Sequence, residues 1–571
     1  MICGIVAGKL LEDRSLIMPS WLTGTGALGL ITAWFCRKRV ILWGLAFSLT
    51  IFLLGAAYFQ LRDCSPNASD ESPPEEIKLR LEIQRIYLGT SENPVASTRI
   101  SGIGKVIATA PNGAQSDAVR TRSAQALKSL TSRAGTQGPT HHAGTDFQTQ
   151  IENTDARPGD LVYFSLRKSA GVPAIRSAVI LAHGVFEGIP HHPAEHSFDD
   201  YLATAGVVAK FSRGRVLNLE REATAYARLC EALRQRMDLI LATGLAARAA
   251  LSAENRALFL GEVGALNTGK KQLFVETGTL HFFAIDGLHI AAVAVALHLL
   301  FGLLRCPKVV AFVVTAIVLW LYADVTGRSP SAVRAVVTVL FFEGAYLLRR
   351  PINPLAGLTA SAVIALLISP RELFGASFQM SYGIVAGLLL LGLPLAEEWQ
   401  KGWRLFRHLP RISWGPIRRS VFNLHRHLLG SLAVGIATAL VADLCGVLFF
   451  QMYAPSSLLA NIILIPAASA ALWACFCSVV CGLLRILWLA NIFNHASAMI
   501  LLGMDACIRF LVTLPAAVVP RQFISVRVGF LSIAGLLLVM IAGYATRWSW
   551  RFGGWLTPVV LCACALIFLC R

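Results

Sequence analysis

The sequence has little charge for its length. Only 15% of its 571 residues are charged, whereas 55% are hydrophobic, and the mean hydropathy is +0.60. A soluble domain of this size carries more charge and does not need so much apolar surface. The composition therefore excludes an ordinary soluble protein and predicts a polytopic α-helical membrane protein.

Two kinds of site are missing from the sequence. Its 13 cysteines lie mostly in apolar segments with no histidine placed among them to complete a zinc site. It also has no phosphate-binding loop of the Walker A type, so any step that needs energy must draw it from a partner or from the membrane potential. We predict no cofactor. Whether Cys64 and Cys230 form a disulfide stays open.

Apolar segments of 14 to 27 residues predict about twelve transmembrane helices. Two precede residue 62, and ten follow, at 280–304, 309–326, 332–348, 355–368, 377–395, 428–450, 458–484, 486–512, 530–545 and 555–569. Positive charge concentrates in the loops at 305–308, 349–350 and 401–426. Such loops are typical of the cytoplasmic side of a membrane, and they account for much of the net charge of +18.

The region between the first two spans and the other ten has the composition of a soluble domain. Alternating patterns at 78–83, 159–166 and 207–211 predict strands of a small extracytoplasmic β domain, and 112–158 predicts a mobile insertion. Helical spacing from 223 to 267 predicts an amphipathic helix against the membrane surface or the later spans. The predicted domains are 1–61 (first spans), 62–222 (β domain), 223–279 (connector), 280–485 (channel core) and 486–571 (last spans).

Polar residues gather at the start of the first span after the connector. His281, Asp286 and His289 surround Gly287 there. Ionisable groups at membrane depth are costly, so by default they mark a functional interior. In a helical backbone Asp286 and His289 are neighbours, His281 and His289 lie two turns apart on one stripe, and Gly287 permits a bend. These side chains would line a pore; a metal site or a proton relay are the alternatives.

More polar positions follow in later spans. Arg334 comes soon after Ser329-Pro330-Ser331, where a helix N-terminus and a guanidinium together favour phosphate. The alternative is an arginine that reaches the interface or pairs with a carboxylate such as Asp324. Gln379 and Ser381 would line the same polar interior or hold helices together by hydrogen bonds.

The motifs that contain these residues resemble the ComEC family of competence proteins, the inner-membrane channels for DNA uptake. The matching runs are His281-Phe-Phe-Ala-Ile-Asp286-Gly287-Leu-His289, Thr326-Gly327 with Ser329-Pro330-Ser331-Ala-Val-Arg334, Asn353-Pro354-Leu355, Phe378-Gln379-Met-Ser381-Tyr382, Leu459-Ala-Asn461 before Pro466, and Phe198-Asp-Asp-Tyr201-Leu202. The resemblance implies an oligonucleotide-binding (OB-like) external domain and a channel for single-stranded DNA. It implies that Ser331 and Asn461 belong to the path.

The sequence departs from that family in two places. Asp286 stands where the family has serine, and the His-x-His-x-Asp-His motif of the family's nuclease-like domain does not occur. The resemblance therefore implies a separate nuclease, a DNA receptor and a cytoplasmic ATPase as partners, beside the lipid bilayer and possible homo-oligomers. The basic loop 401–426, with Trp403, Phe406, Trp414 and Phe422 interleaved, would receive the strand, hold the ATPase or merely set topology.

Together these observations predict a membrane channel, and not an enzyme, that carries single-stranded DNA into the cytoplasm during natural transformation. Two other classes stay open. A secondary transporter or flippase for another anionic substrate would show an internal inverted repeat, which the sequence does not reveal. A membrane-embedded metal-dependent hydrolase would depend on His281, Asp286 and His289. A structural scaffold would give no reason for polar residues at membrane depth.

Overall fold

The structure of the protein is a computed structural model. The structure describes residues 53–59, 74–87, 99–110, 157–167, 175–190, 197–245, 248–276, 278–351, 353–403, 405–406, 415–513, 518–548 and 554–570, with Ile5 and Thr50. The chain forms two compact units, Ser65–Glu231 and Met1–Cys64 with Ala232–Arg571. Cys64 and almost all of the predicted insertion 112–158 lie outside the described residues.

The first unit is a five-stranded closed barrel. Its strands are β1 (Glu75–Tyr87), β2 (Arg99–Ala110), β3 (Leu161–Arg167), β4 (Val179–Gly188) and β5 (Val207–Arg221), in the order β1-β2-β3-β5-β4. The β3–β5 pair is parallel and the others are antiparallel. Helix α1 (Phe198–Thr204) lies between β4 and β5, and its N-terminus is capped by Ser197. Alternating apolar residues such as Leu79, Leu81 and Phe164 fill the interior.

The sequence predicted β1, β3 and β5 but not β2 and β4. Both missed strands contain glycines that interrupt the apolar alternation. The barrel needs two of these glycines. A Cβ at Gly102 would lie 2.1 Å from the Arg85 carbonyl oxygen, and one at Gly184 would lie 2.9 Å from that of Ser212. The glycines therefore allow the strands to approach closely, but they also interrupt the apolar alternation from which a strand is predicted.

The predicted connector helix is wrong as a single element. The chain forms α2 (Ala225–Ala242) and α3 (Ala249–Leu260), followed by α4 (Thr268–Glu276). Gly244, with φ +79°, takes the left-handed conformation just after α2, which ends the helix there. The end of α2 packs against the later spans, because Ile240 fills the space beside Gly482.

The rest of the second unit is apolar helices. They are α5 (Gly287–Leu303), α6 (Lys308–Val325), α7 (Pro330–Leu347), α8 (Pro354–Ile368), α9 (Ala376–Gly402), α10 (Pro416–Phe450), α11 (Ser456–Leu483), α12 (Leu487–Val512), α13 (Val526–Ala545) and α14 (Thr557–Phe568). A π-helical turn occurs inside α9, at Leu388–Gly392, and at the end of α10, at Gly446–Phe450. A 3₁₀ turn, Pro370–Phe374, joins α8 to α9.

Each of the ten apolar segments predicted after residue 280 overlaps one of these helices. In the described part of the chain, seven are long and apolar enough to cross a membrane: α6, α7 and α9 to α13. Helices α5, α8 and α14 are apolar but shorter. Of the two N-terminal predictions, the structure describes little beyond the helical residues 53–59. The architecture is therefore that of a multi-pass membrane protein with a small β-barrel region.

Candidate functional site

The first polar block is not one helix. Leu280–Phe283 forms a 3₁₀ turn, Ala284 is extended, and α5 begins only at Gly287. The cause is Asp286, whose extended backbone and side chain form the N-cap of α5, with Oδ1 accepting the Leu288 amide at 2.9 Å. The prediction that His281 and His289 share one helical stripe is therefore wrong.

His289 is completely buried and bridges two elements. Its Nδ1 lies 3.1 Å from Asp286 Oδ1, and its Nε2 lies 2.9 Å from the Leu258 carbonyl oxygen near the end of α3. A carbonyl oxygen only accepts, so Nε2 carries a proton. The Tyr322 hydroxyl on α6 donates to the Phe259 carbonyl at 2.8 Å. The last carbonyls of a helix have no partner inside it, so these two side chains tie α5 and α6 to the end of α3.

The second polar block is tied to the first. Ser329 donates from Oγ to the Ile285 carbonyl at 2.9 Å and caps α7 by accepting the Ala332 amide at 3.1 Å. Ser331 is half-buried in the first turn of α7, and Gly287 is exposed with open space around it. His281 is exposed, with Nδ1 2.9 Å from the Gly278 carbonyl oxygen.

Arg334 is buried and bonded to protein groups. Its guanidinium donates to Glu372 Oε2 at 3.0 Å and to the carbonyl and hydroxyl oxygens of Ser377 at 2.7 and 2.8 Å. It also lies near the faces of Phe378 and Tyr382, at 5.9 and 5.7 Å from the ring centroids. Its carboxylate partner is thus Glu372, and the pairing with Asp324 is wrong. Arg334 holds α7 against the Pro370–Phe374 turn and α9; its contact with phosphate stays a prediction.

The remaining predicted path residues are spread over two helices. Gln379 donates from Nε2 to the Leu373 carbonyl at 3.1 Å, while its Oε1 is buried with no partner in the described part of the chain. Asn461 Oδ1 on α11 is likewise buried without a described partner, and Ser381 is half-buried. Among the residues that the structure describes, no three His, Cys, Asp or Glu side chains lie close enough together to hold a metal ion.

The sequence analysis missed a buried amide network in the connector and last spans. Asn494 on α12 donates to the Ile240 and Thr243 carbonyls at 2.8 and 3.0 Å and accepts from Ser478 on α11 at 2.6 Å. Asn255 on α3 donates to the Asn494 carbonyl at 3.3 Å. This network joins α2, α3, α11 and α12.

A charged network links α3, α4 and α12. Lys270 on α4 bonds to buried Glu254 on α3 and lies 3.6 Å from Asp505 on α12, which Arg509 also pairs with at 3.2 Å. A polar residue at membrane depth marks a partner or a path. Applied to 486–512, that rule would have pointed to Asn494 and Asp505.

The barrel carries four aromatic rings outside its core. Tyr163 on β3 lies 6.3 Å from Tyr87 and 5.1 Å from Phe198, and Phe198 stacks on Tyr201 at 6.1 Å, centroid to centroid. Phe198 and Tyr201, from α1, are each 51% exposed. Burial and the neighbouring Tyr201 hydroxyl raise the pKa of Tyr87 above its usual range, so its phenol adds no negative charge. We call Tyr87, Tyr163, Phe198 and Tyr201 the aromatic face.

Basic side chains flank the aromatic face. Alternate residues of β3, such as Phe164, fill the barrel, so Tyr163 and Arg167 point outward. Arg167 pairs in register with Arg99 on β2, and both are exposed, as is Lys105. The Arg85 guanidinium lies 5.2 Å from the Tyr87 ring centroid. Cations beside half-exposed rings suit a ligand that has both phosphates and flat bases.

Comparison with known proteins adds to this geometry. The family model described as "Competence protein" matches residues 258–546, about half of the 571. The match begins in α3 and takes in both polar blocks, Arg334 and Asn461. The chain is also similar to ComE operon protein 3 of Bacillus subtilis (strain 168), with 27% identity over 117 residues. That segment is 20% of this chain and 15% of the relative, so most of the relative lies outside the comparison. No solved structure matches. The chain belongs to the competence protein family.

Proposed function

We propose that this protein takes one strand of incoming DNA across the bacterial inner membrane during natural transformation. Membership of the competence family and the seven candidate membrane helices support the role and the location. The proposal includes the two N-terminal spans, for a total of about twelve. In this proposal the chain itself carries out no catalytic step, and the nuclease, the ATPase and the DNA receptor are separate proteins.

The observation that carries the proposal is the aromatic face with its flanking cations. Proteins that hold single strands without sequence preference stack bases on aromatic rings and track the phosphates with positive charge. We assign the barrel to the OB-like class, whose ligands bind the β2–β3 surface and the segments after β1 and between β4 and β5. Tyr163 lies on β3, Tyr87 is the last residue of β1, next to the segment that follows it, and α1 lies between β4 and β5.

The same observation favours DNA over another anionic substrate. A transporter for a small anion needs a compact site, whereas the four rings extend the contact over several base-sized surfaces. In the proposed path, His281, Asp286, Gly287, His289, Ser331, Arg334, Gln379, Ser381 and Asn461 line or support the membrane part. Asp286 and His289 support the start of α5, and Arg334 supports α7.

The test is oligothymidylate binding by the full chain in lipid nanodiscs. The double variant Phe198→Ser/Tyr201→Ser removes two half-exposed rings without opening the barrel core. Stacking is worth about 1–3 kcal/mol per base, so the affinity should fall at least about tenfold. Arg99→Gln/Arg167→Gln should reduce the slope of log affinity against log salt by about 1.4, since each phosphate contact contributes about 0.7.

A matched control removes two arginines elsewhere on the barrel. Arg80 and Arg221 are exposed and form surface ion pairs with Glu220 and Glu82, which contribute little to stability. Arg80→Gln/Arg221→Gln should leave both the affinity and the salt slope nearly unchanged. If the control pair changes binding as much as the face variants do, the charge acts non-specifically and the face has no special role.

A further inference from the structure

Helix α10 is longer than a membrane requires. It has 35 residues, or about 52 Å at 1.5 Å per residue, whereas the hydrocarbon core is about 30 Å thick. The predicted span covered only 428–450, so the helix begins a dozen residues earlier than the apolar sequence does. We call residues 416–428 the α10 arm.

Two tryptophans beside the arm indicate the level of the membrane interface. Trp399, in the last turn of α9, and Trp403, just after it, stack at 6.0 Å, and tryptophan is enriched at the lipid–water interface. Gln400, between them, accepts a hydrogen bond from Arg426 at 2.9 Å, which puts Arg426 at the same level. Ile417 is nine residues further along one uninterrupted helix, about 14 Å beyond that level. The headgroup layer is only about 5–8 Å thick, so the tip of the arm stands in water.

The arm nevertheless carries an exposed apolar stripe. Ile417, Val421, Leu424 and Leu428 are 78%, 42%, 60% and 53% exposed. Their spacing of four, three and four puts them on one side of the helix, the pattern that packs into a groove or against another helix. On a helix that runs along the membrane normal, the outer half of this stripe lies beyond the lipid. Phosphate contacts would leave it uncovered as well, which argues against DNA as its occupant.

The charge of the arm defines the partner further. Between Glu398 and Asp443 the sequence has seven Lys or Arg and no Asp or Glu. Arg418 is exposed beside the stripe, and Arg419 is exposed on the side away from it. Two copies of the arm packed together would bring like charges into contact with no carboxylate to pair them, which disfavours a homodimer. An acidic partner would bring carboxylates to pair with these cations.

We propose that the α10 arm is a docking helix for a separate protein that has an apolar groove rimmed by carboxylates. Ile417, Val421, Leu424 and Leu428 enter the groove, and Arg418 meets its rim. This inference does not rest on DNA as the passenger, since it concerns a different surface from the aromatic face.

The first experiment uses calcium-loaded calmodulin as a chemical probe, because it is an acidic protein whose groove takes basic amphipathic helices. Binding is measured to the full chain in zwitterionic nanodiscs. Leu424→Glu should weaken binding at least about tenfold, because a buried leucine contact is lost. The matched control is Asn423→Glu, which adds the same charge at an exposed position on the opposite side and should change binding less than about threefold. No binding by the wild type, or equal loss in both variants, overturns the proposal.

The second experiment places a photo-crosslinking amino acid at position 424 or 423 in living cells. The proposal expects a protein adduct from 424, absent from 423, that disappears in Arg418→Glu. The adduct should contain a protein with an acidic groove. An adduct only with lipid, or with a second copy of this chain, contradicts it. Oligothymidylate binding should be unchanged in these variants, which separates failure of this inference from failure of the DNA proposal.

Discussion

Replacing Arg334 tests whether its guanidinium supports the structure or contacts the passing strand. In Arg334→Met the apolar stem remains, but Glu372 loses the donor at 3.0 Å and Ser377 loses two hydrogen bonds. Breaking a buried ion pair costs about 3–5 kcal/mol because a charge is left without a partner. Arg334 is 5% exposed and Glu372 31% exposed, so water relieves part of this cost. We expect a loss of about 3 kcal/mol, the lower end of that range.

The assay is the free energy of unfolding of the full chain in mixed detergent micelles. The double variant Arg334→Met/Glu372→Gln should recover part of the loss, since no uncompensated charge remains. Lys401→Met is the control, because Lys401 and Glu397 form an exposed pair at 3.8 Å, and such pairs contribute about 0–1 kcal/mol. If Arg334→Met is as stable as the wild type while uptake falls, the structural interpretation is refuted and the guanidinium acts on the strand.

Three further predictions concern the barrel, the α5 cap and the amide network. Gly214→Ala would put a Cβ 1.9 Å from the His183 carbonyl oxygen, so the barrel should become protease-sensitive and lose oligothymidylate binding; Gly188→Ala, with open space around it, should not. Asp286→Ser keeps a capping oxygen and should preserve uptake, whereas Asp286→Ala should cost about 1 kcal/mol in unfolding; abolished uptake in the serine variant would indicate a proton or metal role. Asn494→Leu should cost about 2 kcal/mol, because Ser478 and two carbonyls lose a buried partner, and an unchanged unfolding energy would contradict the network.

Hydrophobic length allowed the sequence to place the membrane helices. Apolar content over about twenty residues is a local property, and each of the ten segments predicted after residue 280 overlaps a helix. Helix length was less predictable. The α10 arm has polar and apolar residues mixed at helical spacing. A prediction from apolar runs therefore begins the helix only at 428, whereas in the structure it begins at Pro416.

The polar sites were found as residues but not as geometry. The sequence pointed to His289 and Arg334. The Leu258 carbonyl that His289 bonds and the Glu372 carboxylate that Arg334 bonds lie 31 and 38 residues away along the chain. Only the fold decides which carbonyl or carboxylate meets each side chain. The Asp286 cap was within reach of the sequence, since aspartate before a glycine and an apolar run is a helix-start signal. The aromatic face was not, because it joins three separate elements of the barrel.

The most direct test of the central claim is uptake of labelled DNA by a naturally transformable host from which this chain has been deleted. DNA bound at the cell surface is scored separately from DNA protected inside. The account predicts that surface binding persists, that internal DNA disappears, and that the wild-type chain restores it. Internal DNA at the level of the parent strain would contradict the claim that this protein carries the strand across the membrane.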